Sequence, residues 1–278
     1  MYKHIYNKLC ALIITGLFIF LFPTSTAYVF AHEAQPGKQP FQSGERLTFQ
    51  IKWSFIPAGR VVLEASRDTI NNQDAHHFIL TVKTSPVIDI FYKFRERVDS
   101  FTDMKINKSL LYKKLQSHQH PRDIVVTFNW QTNKVQYSNF GTAIDPIDLK
   151  PGTLDPLAAL YYIRKHITNS DIELKRPITD GKKIVQGSVR YIGKETISVN
   201  GRDYDTIKLE PEMKDVKGVF EKSKHAKMYI WLTDDDRKLL VKLKSKVVVG
   251  SFIAELVEDR ENQNLAPEQP TQILEPAD

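Results

Sequence analysis

With 278 residues, of which 41% are hydrophobic and 26% charged, the chain has ordinary globular composition and enough apolar residues for a sizeable core. Its formal charge of +6 is a modest excess spread along the sequence. Such charge is mostly a solvated face; it permits contact with anionic lipid headgroups or acidic polymers and does not identify a partner.

The N-terminus carries an export signature. Lys3 and Lys8 precede the apolar run LCALIITGLFIFLF over 9–22, and Pro23 ends it. A run of about 14 residues is short for a membrane span, which needs about 20. It matches the charged and apolar regions of a secretory signal. Ser25 and Ala27 predict cleavage after Ala27, with Ala31 as a second candidate and an uncleaved anchor as the competing reading. Cys10 is the sole cysteine and lies inside this segment. A chain cleaved there has no disulfide, no Cys-ligated zinc and no thiol nucleophile, which suits the periplasm of a Gram-negative bacterium. Residues 28–42 are polar with Pro and Gly and read as a flexible lead-in; 261–278 read as a disordered tail.

Between them the pattern is that of strands, in one domain over 43–260. Residues 46–53 alternate strictly, with Leu47, Phe49, Ile51 and Trp53 on one face. A turn is expected at 56–59, strands over 60–67 and 76–84, and a polar loop over 68–74. Residues 86–94, PVIDIFYKF, form a short helix or an aromatic loop. Phe91, Tyr92 and Phe94 there act either as a plug at one end of the sheet or as a lid over an apolar cavity. Strands resume over 95–101, 110–118, 123–130 and 134–137, and a longer connection with Pro146 and Pro151 follows.

Residues 155–167, DPLAALYYIRKHI, have the clearest helix signature. Asp155 suits the cap and Pro156 the first helical position. Apolar residues cover most of the girth, which predicts a buried helix. Arg164, beside Tyr161 and Tyr162, must then be paired; Asp89, Glu96 and Asp155 are candidate partners, and a ligand anchor is the other reading. Strands follow over 182–191, 195–199 and 202–210, with Asn200-Gly201 as a hairpin turn. The last strands cover 226–233, 238–249 and 252–258. In the second of these Lys238, Lys242, Lys244 and Lys246 share a face, either solvated or in contact with an anionic glycolipid or polymer. The expected architecture is mainly β: a large curved antiparallel sheet, half-barrel-like, wrapped around one central α-helix.

Chemical motifs are few. His76 and His77 point to opposite faces of a strand, and His118 with His120 supply two ligands of a metal site without a third. Asp234, Asp235 and Asp236 lack the spacing of a calcium loop and suit a turn. No G-x-S-x-G elbow and no glycine-rich phosphate loop occurs, so neither a nucleophile, a nucleotide, a cofactor nor a nucleic acid is supported.

Several stretches together resemble one family: FQSGERLTFQIKW followed by AGR, Ser85-Pro86 before the aromatic cluster, DPLAALYYIRKH, the run from Asp180 to Pro211, and the run from Lys227 to Leu256. They are similar to the DUF3108 family of exported bacterial proteins. The resemblance implies an exported, mainly antiparallel β protein and supplies no catalytic residues. A curved sheet around a helix also resembles the architecture of periplasmic lipoprotein carriers. The expected function is a non-enzymatic carrier for a lipophilic or amphipathic envelope ligand, with Phe91, Tyr92, Phe94, Tyr161, Arg164, Lys242, Lys244 and Lys246 as its ligand-binding residues. The alternatives are an envelope factor with a solidly packed core that contacts other proteins, and a hydrolase of envelope material. The sequence leaves the oligomeric state open.

Overall fold

Alternating apolar and polar side chains cannot be buried singly, so each such strand recruits a neighbour on both sides, and here the recruitment is almost unbroken. The computed structural model describes residues 39–118, 120–168, 173–212, 227–247 and 250–260, with only the backbone described at 246, 247 and 250. The signal, the first part of the lead-in and the tail lie outside the described residues.

The first strands are β1 (Glu45–Trp53), β2 (Ile56–Ile70) and β3 (Gln73–Thr84), followed by a one-turn helix, α1 (Pro86–Asp89). Then come β4 (Arg95–Asp103), β5 (Ser109–Ser117), β6 (Arg122–Asn129), β7 (Lys134–Asn139) and the two-residue β8 (Thr142–Ala143) and β9 (Ile147–Asp148). The main helix α2 (Pro156–His166) leads to β10 (Glu173–Thr179), β11 (Ile184–Val199), β12 (Arg202–Pro211), β13 (Lys227–Thr233), β14 (Leu240–Val247) and β15 (Gly250–Arg260).

All strands form one antiparallel sheet in the order β10-β11-β12-β13-β14-β15-β1-β2-β3-β4-β5-β6-β7-β8, with β9 on β7. The first strand therefore pairs with the last, Trp53 opposite Phe252 and Arg46 opposite Arg260. The sheet is open, and α2 lies in the connection between its two edges. Leu154, just before the helix, pairs with Ile178 of β10; its N–H donates to Pro177 O (3.0 Å), and its carbonyl accepts from Thr179 N (2.9 Å).

Several strand boundaries differ from expectation. Residues 56–59 are strand and not turn; the reversal is at Ser54-Phe55, where Ser54 has φ 55°. Gly59 pairs with Ile51 and Thr84 in the sheet, and glycine suits it there because a Cβ would stand 2.3 Å from Lys83 O. Residues 68–74 are likewise strand, apart from Asn71 and Asn72, whose φ of 50° and 60° make a tight turn. Residues 184–199 are one strand with an irregularity at Ile192, where two strands were expected. β10 was not foreseen, because Pro177 removes a donor from it. That loss is tolerated at the position β10 occupies, an edge.

Alternating hairpins give the sheet two rims. The first holds the reversals at 54–55, 85–94 and 180–183, with 118 and 120–121 between β5 and β6. The second holds Asn71-Asn72, 104–108, 130–133, Asn200-Gly201 and 234–239. Helix α2 is anchored along the second rim. Asp155 caps it, its Oδ1 accepting from Leu157 N (2.9 Å) and Ala158 N (3.0 Å). Its Oδ2 accepts from Ser100 Oγ (2.7 Å) and Ser109 Oγ (2.6 Å), which fixes the cap to β4 and β5. At the other end Arg164 and Lys165 occupy the last turn, where positive charge complements the helix dipole.

Phe41 corrects the lead-in expected over 28–42. It is buried and stands edge-on to His76, Phe78 and Tyr161, with ring centroids 5.5, 5.5 and 5.0 Å away. The Phe41 ring brings this segment to the core, and Arg164 Nη2 donates to Pro40 O (3.3 Å) beside it.

Candidate functional site

The buried face of the sheet is not filled everywhere by side chains. A cavity of about 590 Å³ remains between the first turns of α2 and two remote parts of the sheet. Its helix wall is Pro156, Leu157 and Leu160. Leu80 of β3, Val98 of β4, Tyr112 of β5 and Ile124 of β6 form a second wall. Ile178 of β10 and Val185 of β11 face them from the other end of the sheet. Side chains two apart on a strand share a face, so β4 places Glu96, Val98 and Ser100 in line. Val98 lines the cavity and Ser100 binds the Asp155 cap, which ties the apolar wall to the start of the helix.

Toward the first rim the lining becomes charged, with Lys114, Arg122, Lys182 and Lys183 against Glu96 and Asp180. Lys114 Nζ lies 2.6 Å from Glu96 Oε2. Lys182 Nζ stands 4.7 Å from the centre of the Tyr137 ring. Burial, with Asp155 nearby, pushes the Tyr112 hydroxyl pKa well above its usual range, so this side chain is neutral. Gly181 brings the β10–β11 turn against the far side of the sheet. With φ 93°, a Cβ there would stand 2.7 Å from Val126 Cγ2 and 3.0 Å from Tyr137 Cδ2. An apolar chamber with a charged mouth of net positive balance suits a ligand with an apolar body and an anionic head.

The residues expected to bind ligand are elsewhere. Tyr161 is buried and stacked on Phe78 (3.8 Å), its hydroxyl donating to Glu64 O (3.3 Å). Arg164 is 1% exposed and Glu45 0%; they form a two-pronged pair, Nη1 to Oε1 (2.6 Å) and Nη2 to Oε2 (2.9 Å). The guanidinium also donates through Nε to Lys238 O (3.0 Å). Burial works against its charge, but Glu45 outweighs that and raises its pKa above the ordinary value. The partner is thus Glu45 and none of the expected Asp89, Glu96 or Asp155. Asp89 binds Arg95, Glu96 binds Lys114, and Asp155 caps the helix.

Phe91, Tyr92 and Phe94 lie in the 85–94 reversal on the first rim, Tyr92 packed 4.2 Å from the His118 ring, and none of them is among the lining residues. Lys242 pairs with Glu255 (2.7 Å) and Lys244 is exposed, both on β14. The side chain of Lys246 lies outside the described residues. Sequence reasoning missed the cavity wall itself. Its one legible signal is the i, i+3 pair Leu157 and Leu160 on the helix; the rest depends on which strands face each other.

Other candidates from the sequence have structural roles. His76 is buried, while His77, on the opposite face, binds Asp99 (2.8 Å). Asp235 accepts from Thr233 Oγ1 (2.6 Å) and Arg237 N (3.0 Å) within the β13–β14 turn. Among the described residues, no three His, Cys, Asp or Glu are grouped as a metal site requires.

Of the comparisons with known proteins, one solved structure supports the fold. No curated protein matches the chain significantly. Among solved structures, a β-barrel-like protein of the domain of unknown function DUF1849 from Brucella abortus is similar, with a TM-score of 0.51 at 9% identity, over 81% of this chain and 100% of that one. A predicted lipoprotein of Parabacteroides distasonis aligns at a TM-score of 0.31 and 11% identity, over 81% of this chain and 100% of that one. A predicted exported protein of YmcC-like fold from Bacteroides fragilis aligns at 0.29 and 10%, over 80% of this chain and 98% of that one. The model of one family, described as protein of unknown function (DUF3108), matches residues 48–257, nearly all of the sheet, and the chain therefore belongs to the DUF3108 family.

Proposed function

We propose that this protein is an exported, non-enzymatic carrier of an amphipathic ligand, working in the periplasm of a Gram-negative bacterium. In this reading the sheet curves about α2 as a half-barrel, the helix closes the second rim, and the ligand enters from the first. The observation that carries it is the cavity, about 590 Å³ beside Leu157 and Leu160 with a cationic mouth. That volume is within the range of small-molecule pockets, about 300–1,000 Å³. An envelope factor with a solidly packed core has no use for such a space. Lys114, Arg122, Lys182 and Lys183 would meet an anionic headgroup, and the apolar walls would take its chain. Export rests on the basic and apolar start of the sequence.

The test is native mass spectrometry of the protein purified gently from a bacterial periplasm, beside the variant Leu160→Trp, whose indole would occupy the cavity. The expected result is an added mass on the wild type that organic solvent removes and that the variant lacks. A bare mass for the wild type, unchanged after incubation with phospholipid and fatty acid, would overturn the carrier reading.

A further inference from the structure

The two rims differ in chemistry. The second rim turns on polar residues, among them Asn71-Asn72, Asn133, Asn200-Gly201 and Asp235. The first rim presents large apolar side chains to solvent: Phe55 is 95% exposed, Phe91 81% and Ile90 76%, with Ile56 and Val87 also exposed. They come from two separate reversals that are tied together. Ser85 N donates to Ala58 O (2.9 Å) and Ser85 Oγ to Pro57 O (3.1 Å), so the β1–β2 tip and α1 form one two-pronged projection. Arg95 holds α1 in place by a paired contact with Asp89.

Around the projection the balance of charge is positive. Arg60, Lys83, Lys93 and Lys244 are exposed. Arg60 and Lys83 face each other across β2 and β3, where like charges repel unless an anion is between them. Beside the projection Asp89 is taken up by Arg95, Glu96 by Lys114, and Glu255 by Lys52 and Lys242, while Asp123, farther along this rim at the start of β6, is exposed.

We infer that the first rim docks on an anionic lipid bilayer, with Phe55, Ile90 and Phe91 in the interfacial layer and the basic residues on the headgroups. Projecting tips enter a headgroup layer, whereas a protein partner would need a matching groove for each prong. Aromatic and aliphatic side chains ringed by Lys and Arg are the composition of interfacial anchors. The docking would set the mouth of the cavity, on the same rim, against the lipid. It requires no ligand in the cavity, and so goes beyond the carrier reading.

Vesicle flotation of the protein purified from a bacterial periplasm tests it, because every variant then has the same N-terminus and differences between variants report on the rim. We expect the wild type to float with phosphatidylglycerol-containing vesicles and less with phosphatidylcholine alone. Phe55→Ser with Phe91→Ser, and separately Lys83→Glu with Lys93→Glu, should each reduce flotation about tenfold, and added salt should weaken the wild type. All four side chains are exposed, and circular dichroism checks that the variants fold. As a second readout, Phe55→Trp should be quenched by brominated lipid. Equal flotation of wild type and variants, or an unquenched Trp, would overturn the inference. A dimer seen by light scattering that Phe55→Ser with Phe91→Ser dissolves, without rim-dependent flotation, would overturn it in favour of a second copy. Leu160→Trp should float as the wild type does, so an empty cavity and a non-docking rim give separate results.

Discussion

Glu45, at the start of β1, and Arg164, in the last turn of α2, neutralise each other at 0% and 1% exposure, 119 residues apart in sequence. The pair joins the first strand to the helix, and Lys238 O adds the β13–β14 turn to the same guanidinium. Breaking such a pair on one side leaves the other charge buried without compensation, at about 3–5 kcal/mol. Arg164→Met should therefore destabilise the fold by that amount in urea unfolding. Arg164→Met with Glu45→Leu should cost less than the single change, because the stranded carboxylate is gone. A single variant within about 1 kcal/mol of wild type would show that water reaches the pair.

His76 should make the protein sensitive to mild acid. It packs between Phe41 and Phe78, its Nε2 is buried without a hydrogen-bond partner, and burial lowers its pKa below the ordinary 6.5. Lys165 and Arg67 lower it further, while a backbone hydrogen bond at Met104 and the charge of Asp103 oppose this. Below pH 6.5 the unfolded chain takes up a proton that the folded chain resists, so stability is present above 6.5 and falls as the pH drops. In His76→Phe that part of the decline should vanish. Denaturation midpoints measured across this range check it; parallel curves for wild type and variant would contradict the assignment.

Much of this fold was legible. Strict alternation gave the buried positions Leu47 and Phe49 of β1, though Thr48 is buried as well and Trp53 is 41% exposed, and Asp155-Pro156 gave the start of α2 to the residue. What stayed hidden has physical causes. Pro57 and Gly59 look like turn residues, yet Gly59 is a strand position that is glycine because Lys83 O leaves no room for a Cβ. Pro177 disguised an edge strand. Alternation says which side chains share a face but not what stands opposite. Glu45 was therefore missed as the partner of Arg164, and Val98 and Ile178 were missed as opposite walls of one cavity.

Gly181 is where the two ends of the sheet touch. Alanine there would need φ 93° and a Cβ 2.7 Å from Val126, so the β10–β11 turn must retreat from β6 and β7. The combined backbone and packing cost is about 1–3 kcal/mol. Gly181→Ala should lower stability by that amount and raise hydrogen exchange in β10, which has a single neighbouring strand, β11, in the sheet. Protection lost evenly over the whole sheet, with β10 no more affected than β1, would mean that this contact does not hold the edge.

Asp89 provides a different acid response, local to the projecting rim. The Arg95 guanidinium, with the Thr84 hydroxyl, holds its carboxyl pKa down to about 2 against an ordinary 3.8. The carboxylate therefore supports α1 at every pH above 3.8, and the support is lost as pH falls from there through about 2. Over that window the 85–94 segment should loosen, because Arg95 Nη1 at 2.9 Å loses its charged partner. Asp89→Asn should loosen the same segment at neutral pH and abolish the acid step. Tyr92 fluorescence, through its 4.2 Å contact with His118, or the amide signals of 87–93 would report it. A segment equally ordered in Asp89→Asn at neutral pH would show that the ties from Ser85 to Ala58 and Pro57 suffice to hold the projection.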